Sequence, residues 1–114
     1  MNSEELLENA IEAIGNAKGL NLSVIDVRGM TDMMDYMVIV TGTSNRHVKA
    51  ILRSVTSELR QKERRPAGIE GDDYGNWILV DFIDVVVHIM DEDAREFYGL
   101  ERLWQESLKT PTTA

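Results

Sequence analysis

Two apolar strands joined by a tight turn constrain the fold of this chain more than any other feature. Residues 77–81 read Trp-Ile-Leu-Val-Asp, and residues 85–90 read Val-Val-Val-His-Ile-Met. Runs of this length that are rich in β-branched and aromatic residues are typical of strands. Because only residues 82–84 separate them, the two strands must pair antiparallel as a hairpin. The stretch has no arrangement typical of a catalytic site, which favours a binding module over an enzyme.

Before the hairpin, the spacing of apolar residues predicts one helix and two strands. The helix is capped by Asn2 or Ser3, and Gly19 suits the C′ position after its last turn. A strand is predicted over 22–27. The next strand, over 36–41, is apolar on both faces, which is typical of a strand in the middle of a sheet.

A second helix gives the clearest helical signal in the sequence. It follows the loop at 42–45, carries one apolar stripe, and ends before Pro66, which cannot continue a helix. Residues 67–70 are a candidate for a short strand. Asp91 can cap a last helix over 92–98.

The order of these elements predicts the fold class. The strand–helix–strand stretch over 36–70 implies a parallel crossover, whereas the hairpin is antiparallel. The sheet is therefore expected to be mixed and five-stranded, in an α/β fold with helices packed on it. We expect one domain over 1–104 and a disordered tail over 105–114.

The chain is acidic, with 12 basic and 20 acidic residues and a formal net charge of −8. An acidic surface repels nucleic-acid phosphates and attracts basic proteins, so direct specific recognition of nucleic acid is not expected. The segment 46–65 differs, with seven bases against two acids. It is either a phosphate contact or, more commonly, a solvated helix face. The lack of cysteine and of a long apolar run, with an acidic N-terminus, predicts a cytoplasmic protein without membrane contact.

The loop Gly42-Thr43-Ser44-Asn45 joins a strand to a helix N-terminus, where free backbone N–H groups can hold a phosphate. Its spacing is not that of a Walker loop. Nucleotidyltransferases have a faintly similar loop, but they hold metal with carboxylates two residues apart on one strand face. Asp81 and Asp84 are three apart and flank a turn. A nucleotide-binding enzyme that uses this loop is therefore the alternative hypothesis, and a plain helix cap is the simpler interpretation.

Two histidines without cysteine make a weak metal-binding set, so neither a metal nor a cofactor is predicted. His88 lies in an apolar strand and is interpreted as a structural histidine. His47, at the start of the basic helix, is expected to be solvated. The methionines at 30, 33, 34 and 37 could form an adaptable contact surface, although core filling explains Met37 equally well.

Strand alternation places Trp77, Leu79 and Asp81 on one face of the first hairpin strand. Three modest helices are few for covering both faces of five strands. If this face is uncovered, it forms an apolar patch beside acidic residues, as protein–protein interfaces do. The competing interpretation is that Trp77 packs beneath the first helix as ordinary core.

A series of short motifs, in order over about residues 3–104, resembles the ribosomal silencing factor family, RsfS or Iojap-like. The motifs are Asp35-Tyr36, Thr41-Gly42-Thr43-Ser44-Asn45-Arg46-His47-Val48, Trp77, Asp81, Asp84-Val85-Val86-Val87-His88, Ala94-Arg95-Glu96-Phe97-Tyr98 and Leu100-Glu101-Arg102-Leu103-Trp104. One such match would be weak, but the whole set at family spacing is specific.

The resemblance implies a fold related to nucleotidyltransferases that lacks the catalytic carboxylates, so no enzyme activity is implied. It implies a translation repressor that binds the large ribosomal subunit through the large-subunit ribosomal protein numbered fourteen. A protein on that surface would block joining of the small subunit. Members of the family often self-associate as dimers. A general adaptor for ribosome maturation is a further alternative.

The partner-binding residues expected on this basis are Trp77, Leu79, Asp81, Asp84 and Tyr98. Tryptophan is typical of binding hot spots, and the two aspartates can pair with lysine or arginine of a basic ribosomal protein. The chain departs from the family at Ile83, where glycine is common. Glycine permits a turn with positive φ, whereas a β-branched residue would strain it, so either the turn has another geometry in this chain or it carries strain.

Overall fold

The computed structural model describes residues 1–73 and 75–103, and this part of the chain contains eight regular elements. In chain order they are α1 (Ser3–Asn16), β1 (Leu20–Asp26), β2 (Tyr36–Gly42), α2 (Asn45–Gln61), β3 (Gly68–Glu70), β4 (Trp77–Asp81), β5 (Val85–Asp91) and α3 (Glu92–Tyr98). The order of helices and strands is the predicted one. Trp104 and the predicted tail over 105–114 lie outside the described residues, so the domain boundary at 104 stays a prediction.

The five strands form one sheet in the order β1-β2-β5-β4-β3. The central strands β2 and β5 are parallel, while β1 pairs antiparallel with β2, and β4 pairs antiparallel with both β5 and β3. The predicted mixed five-stranded α/β fold is thereby confirmed. Strands β2 and β3 run in the same direction, as the crossover requires, but the hairpin strands β4 and β5 are inserted between them. Every residue of β2 is buried, as expected for a central strand.

Helices α1 and α2 cover one face of the sheet. Their apolar stripes, which include Leu6, Ile14 and Ile51, pack with Val38 and Val87 in one large core cluster. Burying a side chain of this size stabilises a fold by roughly 1.5–3 kcal/mol. The opposite face has a smaller cluster, formed by β1, β2, β5 and α3, and β4 contributes to it only the half-buried Trp77. The β4 end of that face is therefore the less covered part of the sheet.

The end of α1 differs in detail from the sequence-based expectation. The residue with positive φ is Lys18, at 60°, and not Gly19. Gly19 is required for a different reason, because a Cβ there would meet both Ile14 Cγ2 and Val40 Cγ2 at 2.6 Å. Gly19 thus permits the close approach of α1 to β2. The prediction that Gly19 is the C′ residue was wrong, because α1 ends at Asn16 with Ala17 as its C-cap and Lys18 therefore takes the C′ position.

No helix in residues 1–73 and 75–103 combines the length and the apolar character needed to cross a bilayer.

Candidate partner-binding surface

The β4–β5 hairpin presents a row of side chains on the sheet face opposite α1 and α2. In this row Leu79 pairs with His88 across the strands, and Asp81 pairs with Val86. Trp77 lies on the same face of β4, two residues before Leu79. Their neighbours Ile78 and Val80 point the other way and are fully buried. We call these five residues, Trp77, Leu79, Asp81, Val86 and His88, the open face. Trp77 therefore does not pack beneath the first helix.

A groove of about 430 Å³ crosses the open face. Leu79, Val86 and His88 line its floor, the loop before β2 lines one side, and Glu70 and Asp81 contribute carboxylates. The loop residues of the groove are Thr31, Met33 and Met34, and Ile83 lies at the hairpin end. An apolar floor with carboxylates beside it suits a partner surface that combines apolar and basic side chains.

Trp77 is held in place by two ring contacts and one hydrogen bond. Its indole Nε1–H donates to His88 Nδ1 at 3.0 Å, and the centre of its ring lies 4.4 Å from that of Tyr98 at the end of α3. Tyr98 is about half exposed and contacts Phe97 edge-on. Two of the predicted site residues, Trp77 and Tyr98, are thus brought together although 20 residues separate them. The contact fixes the indole at the edge of the open face.

The hydrogen bond with Trp77 also fixes the tautomer of His88. Because an indole nitrogen only donates, Nδ1 must accept, and the proton of the neutral imidazole lies on Nε2. Burial lowers the pKa of His88 from 6.5 to about 4. The ring is therefore neutral at physiological pH. This agrees with its interpretation as a structural histidine, and the ring adds no charge to the groove floor.

The turn between β4 and β5 is strained at Ile83, whose φ is 74°. Ile83 N–H donates to Asp81 Oδ1 at 2.7 Å, and Asp84 N–H donates to Phe82 O at 3.0 Å across a three-residue turn. A β-branched residue in this region of φ costs about 1–3 kcal/mol. The departure that the resemblance implied at this position thus coincides with backbone strain.

The surroundings of the turn hold it in this conformation. Arg64, beyond the end of α2, donates from Nη2 to Phe82 O at 2.7 Å. The Asp84 carbonyl accepts from the backbone N–H groups of Asp35 at 2.7 Å and Tyr36 at 3.1 Å. The carboxylate of Asp84 is exposed beside the turn, whereas that of Asp81 lines the groove. The two aspartates therefore face different surroundings, and only Asp81 is part of the groove.

The loop at 42–45 is occupied by contacts within the chain. Thr43 N–H donates to His47 Nδ1 at 2.8 Å, and Ser44 Oγ accepts from His47 N–H at 3.1 Å as the cap of α2. A Cβ on Gly42 would lie 2.7 Å from Val48 Cγ2, so this glycine lets the loop pack closely on the helix. Several amides that would face a phosphate are thus already paired, in agreement with the interpretation as a plain helix cap.

His47 is not the solvated residue that the sequence suggested. It is half-buried, and its Nε2 lies 2.8 Å from the carbonyl oxygen of Ala17 at the end of α1. Since Nδ1 accepts from Thr43 N–H, Nε2 carries the proton and donates to Ala17. His47 therefore links the end of α1 to the start of α2. The expectation was wrong because its partner lies 30 residues away in the chain.

The cations of α2 lie away from the groove, whereas Arg64 of the basic segment contacts the hairpin turn. Four exposed or half-exposed cations, Arg46, Lys49, Arg53 and Arg60, follow one line along α2, which packs on the sheet face opposite the open face. None of the four has a carboxylate within 4.0 Å among residues 1–73 and 75–103. The carboxylates of the groove and the cations of α2 therefore lie on opposite faces of the sheet, and α1, on the same face as α2, adds four glutamates.

Several residues of the groove were not among the predicted site residues. Glu70, Val86 and His88 lie on strands that pair directly with β4, and Met33 and Met34 come from the loop before β2. The sequence marked these methionines as a contact surface, and Met33 is 82% exposed while Met37 is buried. Strand alternation identified Val86 and His88 as sharing a face, but only the pairing of β3 with β4 brings Glu70 to the groove.

The fold and this surface define a small mixed α/β protein whose distinctive feature is an open apolar face edged by acids. In residues 1–73 and 75–103, no group of three or more histidine, aspartate or glutamate side chains is placed to hold a metal ion. The model of the family described as "Ribosomal silencing factor during starvation" (RsfS) matches residues 1–114. The chain belongs to this ribosomal silencing factor family, as its motifs predicted, and the role of the family is regulation of translation at the ribosome.

Individual relatives agree with the family model. A ribosomal silencing factor RsfS of Haemophilus influenzae is 40% identical over 99 residues, which cover 87% of this chain and 97% of the relative. A mouse protein named "Mitochondrial assembly of ribosomal large subunit protein 1" is 37% identical over 87 residues, covering 74% of this chain and 38% of its own length. A crystal structure of a Chromobacterium violaceum protein superposes with a TM-score of 0.90 at 39% identity, covering 92% and 88% of the two chains.

No catalytic activity is indicated for this family, whose role is regulatory. The relation to nucleotidyltransferases that the resemblance implied is not tested by these similarities and stays a prediction.

Proposed function

We propose that this protein acts in the cytoplasm, binds the large ribosomal subunit through the large-subunit ribosomal protein numbered fourteen, and blocks joining of the small subunit by occupying a shared surface. The observation that carries the proposal is the open face, where an apolar groove with the carboxylates of Glu70 and Asp81 lies beside the half-buried indole of Trp77. Blocking of this kind requires no chemistry. It requires only that the bound protein fills space where the small subunit would dock.

In this proposal the charged residues and the apolar residues of the surface contribute to different aspects of binding. Acids at the groove attract a basic ribosomal protein and orient it during encounter, because long-range electrostatics mainly raises association rates. The apolar floor and Trp77 then supply most of the affinity, since aromatic side chains dominate binding hot spots. Leu79 lies between Trp77 and Asp81 on β4, so one partner surface can contact all three. We propose that Tyr98, which contacts Trp77, and Asp84, which is exposed beside the hairpin turn, extend the contact beyond the groove.

The central test is a subunit-joining assay with purified subunits, with and without this protein. We expect the protein to inhibit joining and to co-sediment with free large subunits. Trp77→Ala should weaken both effects, because loss of a hot-spot aromatic often costs about 2 kcal/mol or more. That loss corresponds to roughly a 30-fold rise in Kd.

The matched control is Leu20→Ala, which removes an exposed apolar side chain from the far edge of the sheet on β1. This variant should inhibit joining as the wild type does. Unimpaired joining in the presence of saturating wild-type protein would refute the steric block. Equal losses in the two variants would show that the open face is not the contact.

A second candidate function is assembly of the large subunit, because the name of the mouse relative refers to that process. An assembly factor should also bind the large subunit, so binding alone does not separate the two functions. Deletion of the gene should then lead to accumulation of immature large subunits, while the purified protein leaves joining of mature subunits unchanged. The joining assay therefore decides between them.

A further inference from the structure

Ile83 combines two unfavourable properties in one residue. Its backbone has a φ of 74°, in the left-handed region that β-branched residues avoid, and its side chain is 57% exposed. Because the side chain is so exposed, its packing within the described chain offsets little of the free-energy cost of the backbone strain. Strain of this kind persists when it serves a function and the surroundings fix it. Here Asp81 and Arg64 fix the turn through hydrogen bonds to its backbone.

The other non-glycine residues with positive φ have ordinary structural explanations. Lys18 and Glu63 directly follow the C-caps of α1 and α2, where a left-handed residue commonly ends a helix. Asn21 is of a residue type that tolerates this region. None of these three is apolar or β-branched. Ile83 is thus the exception among the described residues.

The place of the Ile83 side chain indicates what it contacts. It lies in the hairpin turn and lines the same groove as the strongly exposed Met33 and the apolar residues Leu79 and Val86. Asp81, next to Ile83 in the groove, adds a negative charge. A partner group that fits this end is an aliphatic side chain with a lysine or arginine beside it.

We propose that Ile83 is a partner-contacting residue that extends the apolar wall of the groove and binds an aliphatic side chain adjacent to a cation on the ribosomal protein. The inference rests on the proposed function, because it assumes that the groove receives that protein. It adds a specificity-determining residue to the partner-binding residues already proposed. The positive φ of Ile83 lowers the stability of the fold, and its exposed side chain adds apolar contact area in the complex.

The test compares Ile83→Gly with Glu63→Gly. Both substitutions remove a side chain at a positive-φ position, so both should raise the midpoint of urea unfolding. Only Ile83→Gly should weaken binding to the large subunit, by roughly fivefold to tenfold in Kd, because only it removes apolar area from the groove. Ile83→Val should retain most of the affinity. Ile83→Asn tolerates positive φ without the apolar contact, and should lose affinity as the glycine variant does.

The outcomes separate this inference from the proposed function. Wild-type protein that does not bind the large subunit would refute the proposed function itself. Wild-type protein that binds, with an Ile83→Gly variant of unchanged affinity, would overturn only the role of Ile83. An Ile83→Gly variant that is no more stable than the wild type would overturn the premise of a strained turn. Weakened binding together with raised stability is the expected result.

Discussion

His88 is a buried histidine of the open face whose protonation is linked to folding. Its pKa is lowered to about 4 by burial, and the unfolded chain restores the ordinary value of 6.5. Between pH 6.5 and about 4, the imidazole of His88 is protonated in the unfolded state and remains neutral in the folded state. Stability that is fully present above pH 6.5 is therefore lost as the pH falls toward 4.

We expect the free energy of unfolding to fall by about 2 kcal/mol from this residue alone between pH 7.5 and pH 5. Urea unfolding at the two pH values measures the effect. His88→Asn is the control, because asparagine does not titrate and retains an acceptor for the Trp77 indole. If the His88→Asn variant loses as much stability as the wild type between pH 7.5 and pH 5, His88 is not the cause of the pH dependence.

At the residue scale, the sequence predicted those properties that depend on chain neighbours. Strand alternation placed Trp77, Leu79 and Asp81 on one face, and the structure agrees. The hydrogen bond of His47 to Ala17 could not be predicted, because it depends on how two helices meet on the sheet. The strain at Ile83 was anticipated only through comparison with the family, since nothing in its neighbours requires a positive φ.

At the scale of elements, local chemistry fixes the helix boundaries. Asn2 and Glu5 form a reciprocal capping box at α1, and Ser44 and Asp91 cap α2 and α3. Side chains of this kind satisfy backbone N–H groups that no helical turn can pair. Sequence could therefore locate these starts closely. It could not give the order of the strands in the sheet, where β5 pairs with β2 and the hairpin therefore lies between β2 and β3.

We expect Ser44→Ala to lower the free energy of unfolding by about 1 kcal/mol, because it removes the acceptor for His47 N–H at the start of α2. Urea unfolding measures the change. The matched control is Ser57→Ala on the exposed side of the same helix, where alanine should be neutral or slightly stabilising. A Ser44 variant as stable as the control would show that the cap contributes nothing.

At the scale of the whole molecule, the cations of α2 and the carboxylates of the groove lie on opposite faces of the sheet, although α1 beside α2 carries four glutamates. The helix α2 carries a line of cations on one side, while Glu70 and Asp81 edge the groove on the other. A molecule charged in this way is oriented by the field of its partner before contact. The proposed basic partner would attract the groove and repel the cations of α2.

We expect association with the large subunit to slow as ionic strength rises, because salt screens this steering. Glu70→Gln should reduce the association rate roughly twofold and make it less sensitive to salt. Glu12→Gln, which removes an exposed charge from α1 on the other side, is the control and should change little. Stopped-flow kinetics at several salt concentrations gives the comparison. An identical rate and salt response for both variants would refute electrostatic steering by the groove.

By itself, the sequence determined the elements, their order and their faces, because periodicity, caps and turns depend on residues a few positions apart. It also determined family membership, through motifs that lie in order along the chain. Only the tertiary structure decided that Glu70, Met33 and Ile83 share one groove with the hairpin, and that Tyr98 contacts Trp77. These contacts join residues far apart in the chain. They exist only because strand pairing and packing of α3 bring the segments together.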